Sequence, residues 1–165
     1  MTQTTHTPAL HQKTRLRLQE LGLDLPTLAT PVASYVPATR VGDVVYTSGQ
    51  LPHENGVLAA TGKVGSDVST ETASVLAATC VLNALAAASG FGNLDHARIV
   101  KVVGYVASAP GFNGQPAVIN GASDLLLDIF GERGNHARSA VGVAELPVNA
   151  PVEVELIVEF PNHDI

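Results

Sequence analysis

Hydrophobic and polar positions alternate most cleanly near the end of the chain. Val152, Val154, Leu156, Val158 and Phe160 fall on one side of an extended segment, and Glu153, Glu155, Ile157 and Glu159 on the other. This is the period-two pattern of a strand with one buried face, and Pro161 ends it. The run from Ala137 reads as another strand, with a proline-bounded turn between the two. The pattern therefore predicts paired neighbours, with Arg138 at the start of the first and carboxylates along one face of the second.

Upstream, Ser34–Val41 and Val44–Ser48 are strand-like and joined by a Gly42-Asp43 turn. A glycine-rich loop, Gly49–Gly65, follows. Asp67 or Ser69 can cap a helix that has Glu71 in its first turn and runs to about Ser89, before Gly90 and Gly92. Ile99–Ser108 is apolar enough for a central strand. After the loop Gly111–Gln115, Pro116 suits the first turn of a second helix. Val118, Ala122, Leu125 and Ile129 share one face of it, and Gly131 closes it. The order strand, strand, helix, strand, helix, strand, strand predicts an α+β fold, a single sheet with both helices on one face. Ahead of it, Leu10–Leu21 reads as a short helix, with Leu10, Leu16, Leu18 and Leu21 apolar and Gly22 as its stop. Pro26 and Pro31 then make an extended linker, so residues 1–31 read as an appendage to a domain spanning 32–165.

One face of such a sheet is left without helices, and composition bears on what covers it. The chain of 165 residues is 45% hydrophobic and only 15% charged. That suffices for one core but leaves few charges for a surface, which points to neighbouring subunits in a homo-oligomer. The alternative is a small alanine-rich monomer. The net charge is −6 and the basic residues are scattered, which argues against a nucleic-acid backbone as main partner. Cys80 is the only cysteine; it excludes an intrachain disulfide and reads as a small core residue. The uncharged stretch between Glu71 and Asp95 is interrupted by Thr72, Ser74, Thr79, Asn83 and Ser89, so it reads as a buried helix rather than a membrane span. Met1–Pro8 is polar and lacks signal-peptide features. A cytoplasmic location is expected.

Arg138 is the leading candidate for chemistry, because an arginine at the mouth of a strand can hold a carboxylate through two parallel charge-assisted bonds. The plain alternative is a structural ion pair with Glu153 or Glu155. Those glutamates share a face with Glu159; they either border solvent or, beneath a subunit joint, hold a water and exchange protons. Asn120 is a poor helix former inside a predicted helix, and is otherwise a surface residue. Tyr35 can point a hydroxyl into a cleft or simply edge a strand. Ser48-Gly49-Gln50 offers backbone amides to a ligand or is only a turn. The six histidines show no metal-ligand spacing, so no metal is expected. Ser139 has no evident triad partners.

Several separated motifs carry a resemblance. They are Tyr35; Val45-Tyr46-Thr47-Ser48-Gly49-Gln50-Leu51-Pro52; Phe112 with Val118-Ile119-Asn120; Ala137-Arg138-Ser139; Leu146-Pro147; and Val152-Glu153-Val154-Glu155. In this order and spacing the chain, from about Val32 to Phe160, resembles the RidA/YjgF family of reactive-intermediate (enamine/imine) deaminases, also called endoribonuclease L-PSP. The N-terminal helix and Gly131-Glu132-Arg133-Gly134-Asn135-His136 resemble a longer-chain branch. The resemblance implies a chorismate-mutase-like α+β fold and a homotrimer with clefts between subunits. It further implies that Arg138 clamps a substrate carboxylate, that Glu153 positions or activates water, and that Tyr35, Asn120 and Ser48-Gly49 line the pocket. The implied reaction is hydrolysis of a 2-enamine or 2-imine acid to a 2-keto acid and ammonia, with no metal or organic cofactor. Two departures stand out. Ala140 replaces the cysteine of close deaminase members, leaving a backbone carbonyl to orient water. Gly142 replaces a bulkier polar residue, which is expected to enlarge the pocket. The alternatives are a non-catalytic protein that binds or senses small carboxylates, and an RNA-cleaving or translation-inhibiting protein.

Overall fold

A computed structural model describes residues 11–27 and 35–161. Strands β1 (Ala38–Val41), β2 (Val44–Thr47), β5 (Arg98–Ala107), β6 (Ala137–Val143) and β7 (Val152–Glu159) form one sheet in the order β1-β2-β7-β5-β6. All pairings are antiparallel except β5 with β6. Helices α2 (Thr70–Ala88) and α3 (Gln115–Phe130) supply the buried residues that meet the sheet. The alternation read from the last strand holds. Val152, Val154, Leu156 and Val158 are buried in the core, and the intervening residues lie on the other, partly exposed face.

One expectation about that stretch fails. β6 and β7 are not paired, because β5 lies between them. Their connection wraps the end of β5, where Ser108 N donates to Val143 O and Ala107 N to Pro151 O. Val148 and Asn149 take left-handed backbone angles within it. β6 instead follows α3 as a parallel partner of β5, the arrangement a helical crossover produces.

Local differences have local causes. Ser34, Pro31 and Leu10 lie outside the described residues. β1 begins at Ala38 rather than near Ser34, and Tyr35 sits in an exposed bend. The glycine-rich loop contains a hairpin, β3 (His53–Glu54) with β4 (Val57–Leu58). Asn55-Gly56, both at positive φ, make its turn, as this dipeptide favours. Ser69, not Asp67, caps α2 by accepting from Thr72 N, while Asp67 accepts from Lys63 N.

Helix α1 (Gln12–Glu20) packs onto the rest of the chain: Leu18 is fully buried, whereas Leu16 is exposed rather than on the apolar side. Asp95 holds the first turn by accepting from Lys13 N, Thr14 N and Thr14 Oγ1. Burial alone pushes the Asp95 carboxyl up, but these bonds outweigh it and hold it below its usual range.

α2 is long and apolar enough to cross a membrane by length and composition. Here it lies against α3 and β7, with Cys80 fully buried on it. Burial, then the nearby Glu153 charge, pushes the Cys80 thiol well up, as suits an inert core residue. α2 and α3 touch where Gly121 meets Ser74; a Cβ on Gly121 would collide with the Ser74 carbonyl. Backbone cannot yield there as a flexible side chain does. Gly121→Ala is expected to cost about 3 kcal/mol and lower the melting temperature by roughly 6–12 °C, measured by calorimetry.

Candidate active site

Two clusters contain the predicted residues other than Tyr35, and they lie on opposite faces of the sheet. Arg138, Ala140 and Gly142 alternate onto the side of β6 that faces α3. Arg138 is exposed, yet its Nη1 is held by α3, donating to Asn120 Oδ1 at 2.8 Å and to Ser123 Oγ at 3.1 Å. It forms no ion pair with Glu153 or Glu155. Both Nη1 hydrogens are thereby used. Among the described residues, Nε and Nη2 have no partner, which leaves the fork that fits a carboxylate side-on.

Behind Arg138 the polar chain continues. Ser123 Oγ lies 2.9 Å from His136 Nε2, and His136 Nδ1 lies 2.6 Å from Gly134 O. Asn120 and Ser123 are one helical turn apart on α3, so the helix presents both to the same guanidinium.

Ala140 is partly buried and packs against the core. Gly142 does not open a pocket on the α3 side. A Cβ there would lie 2.7 Å from Gln115 Nε2 and 3.0 Å from Ser108 Oγ, so the Gln115 carboxamide already fills that space. Gln115 Nε2 is fixed by Phe112 O at 2.8 Å and Ser108 Oγ at 3.1 Å.

The second cluster surrounds Glu153. Gln50 bridges to Val154 in antiparallel fashion, which draws the Ser48-Gly49-Gln50 turn against β7. Gly49 lies directly under the Glu153 carboxylate, where any Cβ would overlap Oε1. Ser48 is at this turn, but its hydroxyl donates to Val36 O at 2.7 Å and so secures the segment after Tyr35. Tyr35 itself is exposed and makes no side-chain hydrogen bond to either cluster among the described residues.

The glutamate row divides by partner. Glu159 accepts from Arg98 Nε at 2.6 Å, and Glu155 accepts from Tyr105 Oη at 3.4 Å. Glu153 has no hydrogen-bond partner among the described residues. Burial, then the neighbouring Glu155 charge, pushes its carboxyl above the ordinary carboxylate value. Burial, then Glu155, likewise raises the Tyr105 phenol. A half-buried, unpartnered carboxyl whose pKa is raised by burial and a like charge is a candidate for proton exchange.

The register sets the distance between the clusters. Arg138 is level with Val102 and hence Leu156, whereas Glu153 is level with Tyr105. Two strand spacings sideways and three residues lengthwise put their Cα atoms about 14 Å apart. Because their side chains also leave opposite faces, one protomer does not bring them onto one small molecule.

The chain matches the endoribonuclease L-PSP family over residues 27–160, a span that contains both clusters. The chain belongs to the RidA/YjgF family. It is 42% identical to Protein TCP17 of Trypanosoma cruzi, over 88% of this chain and 92% of that one. It is 34% identical to a 2-iminobutanoate/2-iminopropanoate deaminase of Dermatophagoides farinae, over 82% and 93%. The crystal structure of an Agrobacterium tumefaciens protein of unknown function superposes with a TM-score of 0.83 at 48% identity, covering 90% of this chain and 92% of that one.

Within this RidA/YjgF chain, sequence reasoning gives Ser123, His136 and Gln115 no role in the site. Ser123 was visible as the residue one turn beyond Asn120, and His136 as the neighbour two before Arg138. Only the packing of β6 on α3 makes them one network. Gln115 carries no local signal; its role follows from the space left by Gly142. Among the described residues, no three His, Cys, Asp or Glu side chains converge.

Proposed function

We propose that this protein hydrolyses 2-imino or 2-enamine acids to 2-keto acids and ammonia, at clefts between copies of itself. The observation that carries the reading is the guanidinium of Arg138. α3 holds it through Nη1, and its Nε–Nη2 fork is left for a carboxylate. The family's deaminase relative supports the choice of reaction. The substrate carboxylate docks on Arg138, which places C2 of the iminium for attack. Glu153 takes a proton as water oxygen bonds to C2, giving a carbinolamine. It then returns that proton to nitrogen, the C–N bond breaks, and loss of the hydroxyl proton leaves the keto acid and ammonium. The iminium carbon is already electrophilic, so positioning and proton transfer carry the step.

Arg138 and Glu153 face opposite ways in one protomer, so a site using both needs Arg138 of one copy and Glu153 of another. The helix-free sheet face supports such an assembly, with Val41, Tyr46 and Val141 at 67%, 44% and 44% exposure. Apolar surface of this kind favours subunit contact, and a homotrimer is the expected state. Tyr35, exposed in the isolated chain, would line the cleft from that joint.

A second reading is a binding protein for small carboxylates without turnover. The separation of Arg138 from Glu153, and Ala140 in place of a thiol, favour it. The deciding experiment supplies imines in situ with an amino-acid oxidase and follows ammonia release, alongside calorimetric titration with pyruvate. Acceleration by the protein is expected. Saturable binding without acceleration selects the second reading, and the absence of both binding and acceleration would be incompatible with a carboxylate clamp. Salt-sensitive RNA binding would instead favour the RNA-directed alternative.

A further inference from the structure

We propose that Ser123 and His136 are positioning residues that fix the Arg138 guanidinium through a one-directional hydrogen-bond chain. The atoms themselves set the direction. Arg138 Nη1 only donates, so Ser123 Oγ accepts from it at 3.1 Å. Gly134 O only accepts, so the 2.6 Å contact requires the hydrogen on His136 Nδ1. In that neutral tautomer Nε2 is an acceptor, and Ser123 donates its hydroxyl hydrogen to it across 2.9 Å. The sequence Arg138 → Ser123 → His136 → Gly134 thus gives every contact in the series one donor and one acceptor.

The chain is anchored at both ends by α3. Ser123 belongs to the helix, and Gly134 is buried against it, where an added Cβ would collide with Leu126 O and crowd Leu127 Cα. The Gly134 carbonyl therefore cannot drift relative to Ser123. The consequence falls on a residue that is itself exposed. A solvated arginine samples many rotamers, and ordering it costs affinity. Two bonds to Nη1 from separate α3 residues restrict both the position and the plane of the guanidinium, so the Nε–Nη2 edge is presented in one orientation before a ligand arrives. Asn120 contributes one of these bonds alone. Ser123 contributes the other only while its hydrogen is drawn away by His136, which keeps an oxygen lone pair toward Arg138.

The proposal rests on Arg138 being the carboxylate clamp only where ligand affinity is read, so two measurements separate it from that reading. The first uses protein labelled with ¹⁵N in histidine and arginine. The His136 nitrogens should report the Nδ1–H tautomer, and the Arg138 side-chain signals of the wild type should shift in Ser123→Ala but stay in place in Ser123→Thr, which keeps a hydroxyl. His136→Gln places an acceptor near the Nε2 position and should preserve the Arg138 signals, whereas His136→Leu should reproduce Ser123→Ala. The second measurement titrates pyruvate into the same variants. Ser123→Ala and His136→Leu should bind about tenfold more weakly, as expected for loss of one hydrogen bond to a charged group. In turnover the same loss should enter KM while kcat stays near wild type, since orientation serves ground and transition states alike. A dominant Nε2–H tautomer, or unchanged Arg138 signals in Ser123→Ala, would overturn the chain. Absence of pyruvate binding by the wild type would overturn the clamp, and the nitrogen signals would still decide the chain. A Ser123→Thr variant as weak as Ser123→Ala would also overturn it.

Discussion

Arg138→Ala is expected to abolish measurable ammonia release at ordinary substrate concentrations while leaving the fold intact. Hydrogen bonds to a charged group are each worth roughly 1.5–3 kcal/mol, so losing the Nε–Nη2 fork should weaken carboxylate binding by roughly 10²-fold or more. The side chain is exposed and contributes little to the core, so the melting temperature should hardly move. Asn120 and Ser123 lose a donor in the variant, but both border solvent and can turn to water. Arg138→Lys is the sharper control. Lysine keeps the charge but is a point donor without the planar fork, and it cannot hold Asn120, Ser123 and a carboxylate in one plane. It should recover only part of the affinity. Equal rates for wild type and Arg138→Ala would remove the clamp from the mechanism.

How much of this was legible in the sequence depends on how local each signal is. The alternation in β7 placed Val152, Val154, Leu156 and Val158 in the core and the glutamates opposite, because side-chain direction in a strand is fixed residue by residue. Pro116 and Gly131 likewise marked the limits of α3, since proline and glycine act through their own backbone. Strand order is not local. β6 and β7 are separated by eight residues, and a turn between them was the economical expectation. The insertion of β5 follows from the parallel crossover through α3, which no window of sequence displays. That difference reverses the first picture of the site. Arg138 and Glu153 were expected side by side on neighbouring strands, whereas the sheet places them on opposite faces with β5 between. The family motifs marked both residues but carried no information about which face each one uses. Gly49 was recognised as part of a turn. That the Glu153 carboxylate occupies the place a Cβ of residue 49 would take emerges only from the Gln50–Val154 bridge.

Glu153→Gln is expected to move activity and stability in opposite directions. In the native chain the Glu153 carboxyl is held above the ordinary value of 4.5, by burial first and by Glu155 second. Its charged form is therefore disfavoured by folding. At pH values above the raised pKa the fold bears the whole of that penalty; between the raised value and 4.5 the penalty shrinks as the pH falls, and below 4.5 it is gone. Glutamine is neutral throughout and nearly the same shape, so it still fits above Gly49. The variant should melt at a higher temperature than wild type at neutral pH, and the difference should close on acidification through this window. Turnover should fall, because the amide neither takes a proton from water nor returns it to nitrogen. Losses for a single general acid–base group are about 10²–10⁴-fold, and here they should appear in kcat, with pyruvate affinity retained through Arg138. The acid limb of the wild-type pH–rate profile, lying above the ordinary value of 4.5, should disappear from whatever activity remains. A Glu153→Gln protein with wild-type kcat would assign the proton transfers elsewhere. One that was destabilised at neutral pH would mean that the carboxylate gains, in the assembled protein, a cationic partner that the single chain does not contain. Arg138 of a neighbouring copy would be the first such partner to test, by repeating the melting comparison in the Arg138→Ala background.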